Sequence, residues 1–136
     1  MSKMKVYIAY KFQNNRNKEE LKSILEKISD TVKDWGYDTF VLGRDVKKWQ
    51  HVHLGSLKLI PVIYKNMKQC GVLMAYVNST AISKGLFFEI IISKILGIKS
   101  VMYLQKDIRS RFLKNHFNKV ITVHSPSEIK KEDIVF

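Results

Sequence analysis

The feature that most restricts this chain is an alternation. Short runs rich in apolar, β-branched and aromatic residues are separated by stretches whose apolar residues recur every three or four positions. The runs are Lys5–Phe12, Tyr37–Leu42, Gly71–Val77, Ser100–Leu104 and Lys119–His124. A strand that is followed by a helix before the next strand pairs with a parallel neighbour, because the crossover returns the chain to the same end of the sheet. Gly71–Val77, GVLMAYV, has no polar side chain, as a strand buried on both faces requires.

The intervening stretches read as helices. Asn17 caps the first, with Glu20 completing a capping-box-like pair, and Leu21, Leu25, Ile28, Val32 and Trp35 form its apolar face. Gly36 stops it. From Val46 an irregular piece leads into a second helix reaching about Gln69, which Pro61 should break or begin. Lys84–Leu96 is a third helix, apolar nearly all round and ended by Gly97. Asp107–His116 is a short basic helix. Ser125–Glu128, with Pro126 at the first helical position, predicts a last short helix behind a capping box. The order predicts one flavodoxin-like three-layer α/β domain over residues 1–136, with a five-stranded parallel sheet in the order 2-1-3-4-5.

Charge narrows the function. The 24 Lys and Arg outnumber the 12 Asp and Glu, giving +12. Between Val46 and Lys106 nine lysines face one acid, Glu89, so +8 of that charge lies mid-chain. Such a field favours anionic partners, although lysine-rich surfaces are often only solvated. The single cysteine, Cys70, excludes an internal disulfide and a cysteine-based metal cluster. The pair His51 and His53 has no Cys, Asp or Glu near it in sequence, so no metal and no cofactor are expected. No apolar run approaches the roughly 20 residues of a membrane span, and Val6–Tyr10 is too short for a secretory core, so a cytoplasmic protein without membrane contact is expected.

In an open α/β sheet, ligands bind beyond the carboxyl ends of the strands, where the strand order reverses. Here that point lies between the first and third strands. Tyr10 and Lys11 stand at one end and Asn78 at the other. Ser83, Lys84 and Gly85 open the next helix, where free N–H groups, a hydroxyl and an ammonium suit an anion. Neither a Walker phosphate loop nor a dinucleotide fingerprint is present. Glu89 sits in the second turn of that helix among Leu86, Phe87, Phe88, Ile90, Ile91 and Ile92. A carboxylate in such company is costly unless it is used or paired. It suits attack on an electron-poor sugar carbon. The bland reading pairs it with a lysine, or puts it on an exposed strip with Ser93.

The pattern Ser83-x-Gly85-x-x-x-Glu89, set between an apolar strand and an apolar helix, resembles the nucleoside deoxyribosyltransferase superfamily, which includes deoxynucleoside 5′-monophosphate N-glycosidases. The opening run Val6–Tyr10 suits that family too. The resemblance implies cleavage or exchange of an N-glycosidic bond of a nucleoside or nucleotide, with Glu89 as nucleophile. It implies that Ser83, Lys84 and Gly85 hold phosphate and that Tyr10, Lys11 and Asn78 line the sugar and base site. A homodimer completing its sites across the interface is also implied. Two family aspartates have no counterpart: their positions fall at Cys70–Gly71 and at Ile63. TIR-like domains share the architecture and a glutamate on the corresponding helix, and imply NAD cleavage or non-catalytic assembly. The alternative from another class is a nucleic-acid surface built from Tyr10, Phe12, Trp49 and Tyr64 interleaved with Lys11, Lys47, Lys48 and Lys65.

Overall fold

The computed structural model describes residues 4–12, 18–41, 56–78, 84–105 and 115–135. Five strands form one parallel sheet: β1 (Lys5–Phe12), β2 (Asp38–Val41), β3 (Val72–Asn78), β4 (Lys99–Gln105) and β5 (Lys119–Val123). The order is β2-β1-β3-β4-β5, as the alternation predicts. Three helices cross between strands: α1 (Lys18–Asp34), α2 (Ser56–Met67) and α3 (Lys84–Leu96).

Strand periodicity sorts the core into two layers. Tyr7 and Ala9 of β1, Leu73, Ala75 and Val77 of β3, and Met102 and Leu104 of β4 pack under α2 and α3. Val6 and Ile8, Met74 and Tyr76, and Val101 and Tyr103 point the other way. That second face is covered by Leu25, Ile28 and Val32 of α1, three of the predicted face residues, and by Ile129 and Ile134 of the C-terminal segment. Both faces of β3 are buried, as its sequence requires. Gly36 and Gly97 end α1 and α3 at φ +99° and +70°, conformations in which a Cβ would be strained.

Two expectations need correction. Pro61 neither breaks nor begins α2 but lies inside it. Its ring is exposed, so the turn that loses an N–H bond is on the water side, where solvent can satisfy the freed carbonyl. The last helix is replaced by two 3-10 turns, Pro126–Glu128 and Lys131–Ile134. Pro126 does open the first turn, but Ser125 makes no capping bond; its hydroxyl meets that of Ser127 at 2.6 Å, and the Glu128 carboxylate accepts the His124 N–H instead. The chain extends at Ile129, which must enter the core, and Asp133 then accepts the Tyr103 hydroxyl at 2.7 Å. The Asn17 cap, most of the predicted basic helix from Asp107, and Trp49, His51 and His53 lie outside the described residues.

Candidate active site

After β3 the chain enters α3, which carries it back to the start of β4. The crossover therefore sets α3 against the sheet with Glu89 in its second turn. Glu89 is only 6% exposed, and Ser93, one turn on, is 2% exposed with its hydroxyl donating to the Ile90 carbonyl at 2.7 Å. The exposed-strip reading is thus excluded: both polar groups face inward. Leu86, Ile90 and Ile92 are buried around them.

Glu89 faces Tyr7. The tyrosine ring is fully buried and is held by Phe40 of β2, with ring centroids 5.0 Å apart. Its hydroxyl is buried and closes no hydrogen bond of normal geometry among the described residues. Burial first, and then the nearby Glu89 carboxylate, push the Tyr7 phenol far above its ordinary value. It therefore stays a proton donor across the neutral range, directed at a carboxylate. Tyr10 is also pushed up, by burial and then by the same carboxylate. Two phenols thus respond to one buried acid.

The predicted residues gather only in part. Lys11 and Asn78 stand at adjacent strand ends, with Lys11 paired to Val77 and Phe12 to Asn78. Lys84 and Gly85 are the first two residues of α3. Ser83 lies outside the described residues. Tyr10 packs on the α1 side of the sheet, whereas Glu89 belongs to the α3 side. Ile63, at the position of a family aspartate, is fully buried in the same apolar cluster as Tyr7.

Tyr7 is the residue that sequence reasoning passed over. Tyr7 and Tyr10 are three apart in a strand, so they point to opposite faces, and only Tyr7 faces α3. Combining strand parity with the position of Glu89 would have singled it out. The proposed stacking surface divides for a similar reason. Tyr10 packs into the α1-side core, while Tyr64 and Lys65 are exposed on α2, on the far side of the sheet. Cys70 is buried core, its thiol pushed up to about 11 by burial against the opposing pull of Lys5. Among the described residues no helix is long and apolar enough to cross a membrane.

The chain matches no protein-family model and no curated protein. It is similar to three solved structures over nearly the whole of each. A conserved protein from Enterococcus faecalis V583 superposes with a TM-score of 0.69 at 14% identity, covering 98% of both chains. The CMP N-glycosidase BcmB of Clostridium botulinum gives 0.63 at 16% identity, over 91% of this chain and 92% of that one. A 2-deoxyribosyltransferase from Bacillus psychrosaccharolyticus gives 0.62 at 18% identity, over 96% and 95%. The resemblance drawn from Ser83, Gly85 and Glu89 and the likeness drawn from the backbone therefore coincide: this chain has the fold shared by an N-glycosidase and a deoxyribosyltransferase.

Proposed function

We propose that this protein cleaves or exchanges the N-glycosidic bond of a nucleoside or nucleotide, with Glu89 as nucleophile. The observation that carries the reading is the buried Glu89 carboxylate beside the buried Tyr7 hydroxyl, in a fold shared with two enzymes of this chemistry. A carboxylate oxygen attacks the anomeric carbon, and the carbon–nitrogen bond breaks with its electron pair leaving on the base, which takes up a proton. The glycosyl ester is then resolved by water, or by a second base that forms a new carbon–nitrogen bond. Tyr7, protonated throughout, orients the carboxylate by donating toward it. The first residues of α3, with the Lys84 charge, receive a 5′-phosphate at the helix start. Tyr10, Lys11 and Asn78 border the sugar and base.

The chain acts as a homodimer in this reading. Phe87, Ile91 and Ile95 of α3 are spaced four apart and are 39%, 38% and 71% exposed. A helix that is apolar all round expects a cover on its outer side. A row at this spacing is self-complementary, so it packs against its own copy about a two-fold axis. The copy would bring a second set of side chains beside the helix that carries Glu89. Ile95→Asp is expected to give a monomer by light scattering.

The direct test is chromatography of free base released from deoxynucleotides, ribonucleotides, nucleosides and NAD. Wild type is expected to release base from a nucleotide, and Glu89→Gln to lose about a thousandfold or more of that rate. Equal rates in both proteins, or no release from any substrate by folded wild type, would overturn the reading. Preference for NAD would move it to the TIR-like alternative.

A further inference from the structure

A cleft of about 330 Å³ lies at the end of the sheet opposite the substrate edge, where α3 ends and β4 and β5 begin. Its ten lining residues include Lys94, Lys99, His116 and Asn118, and none is acidic. The Lys94 ammonium stands 2.7 Å from His116 Nδ1, with the lysine as donor. Two basic side chains from segments 22 residues apart thus meet without a carboxylate between them.

The last turn of α3 does not account for Lys94. That turn is already closed by backbone donors: Ile98 N–H reaches the Ser93 carbonyl at 3.1 Å and Gly97 N–H the Lys94 carbonyl at 3.2 Å. The lysine reaches across the cleft instead of back to the helix end. Asn118 is fixed in one orientation. Its Oδ1 accepts the Ser100 N–H at 2.9 Å, which only the oxygen can do, so its Nδ2 hydrogens are turned away from that bond. Those hydrogens close no hydrogen bond among the described residues. Lys99, exposed on the same cleft, adds a third cation-bearing side chain. The sequence leading into the cleft, residues 107–114, adds Arg109, Arg111 and Lys114 against Asp107.

The free polar groups of this cleft are therefore donors. We propose that it is a second anion site, which takes a phosphate group independently of Glu89. Lys94 and Lys99 supply charge, His116 joins them on protonation, and the Asn118 amide supplies a directed hydrogen bond. The phosphate belongs either to a free phosphomonoester or to a nucleic-acid backbone, and the two sources are separable.

The test uses the full chain and proton–nitrogen correlation spectra, titrated with inorganic phosphate, a 5′-mononucleotide and a short single-stranded oligonucleotide. Saturable shifts are expected at the Asn118 side-chain amide and the His116 ring, in wild type and equally in Glu89→Gln. The double variant Lys94→Gln with Lys99→Gln should bind about tenfold more weakly. Asn118→Asp keeps the oxygen that holds the Ser100 N–H, so it reports on the site without unfolding the turn, and should abolish binding. Tighter binding of the mononucleotide assigns the site to a phosphomonoester. Tighter binding of the oligonucleotide, weakening steeply with salt, assigns it to a nucleic-acid backbone. No saturable shift at Asn118 and His116 with any probe, or unchanged affinity in both variants, would overturn the proposal.

Discussion

A buried hydroxyl that closes no hydrogen bond costs about 1–3 kcal/mol, and Tyr7 carries one. Nothing in packing requires it, because phenylalanine fills the same space against Phe40. Tyr7→Phe should therefore raise stability by about 1 kcal/mol in urea unfolding while lowering the rate of base release. A group kept for stability would move both the same way. A fall in stability together with unchanged activity would remove Tyr7 from the site. At this scale Glu89 was legible because a lone acid among apolar residues is conspicuous in any sequence. Tyr7 was not, because one of two tyrosines in a short strand is chosen only by parity relative to a helix more than seventy positions away. The meeting of Lys94 and His116 was invisible for the same reason: it joins a helix end to a strand start that only the fold brings together.

Elements were legible where local signals and burial agree. Lys84–Leu96 and Lys5–Phe12 have the bounds that their patterns predict, and Gly36 and Gly97 stop their helices as positive-φ residues should. The failures came where a tertiary demand overrode a local preference. The Ser125–Glu128 pattern promised a helix, yet Ile129 and Ile134 must reach the sheet face and Asp133 the Tyr103 hydroxyl, so the chain takes two 3-10 turns instead. In α2 the opposite occurred: Ile63 and Met67 have to reach the core, and their burial carries the helix through Pro61. Pro61 then sits in a helix interior with its side chain exposed and contributes no packing that alanine would lose. Pro61→Ala restores one backbone donor and removes the ring clash, against a small gain in unfolded-chain entropy. It should stabilise the protein by about 2 kcal/mol in urea unfolding. No change would mean that the freed carbonyl is already fully satisfied by water.

The whole molecule rests on a sheet buried on both faces, and that burial reaches several acidic protons at once. The topology was readable from alternation alone, since parallel strands and covering helices leave few arrangements. The consequence for pH was not, because burial of a particular thiol or phenol depends on which face its strand presents. Burial raises Tyr7, Tyr10 and Tyr103, the last also through Asp133, and lifts the Cys70 thiol from 9.0 to about 11. Below pH 9 the thiol is protonated in folded and unfolded chains alike and adds no slope. As pH rises from 9 toward 11 the unfolded thiol releases its proton while the folded one keeps it. The unfolded state then binds fewer protons, so stability falls. The tyrosines join only above 10, their ordinary value, which leaves the interval from 9 to 10 to Cys70. Urea midpoints measured across that interval should drop for the wild type. Cys70→Ser removes the titration and keeps a donor for the Asn66 carbonyl, which the thiol meets at 3.4 Å. Its midpoints should start lower, from lost packing, and stay flat. Parallel slopes in the two proteins would show that the thiol is not held in its protonated form by the fold, and would assign the alkaline loss to other groups.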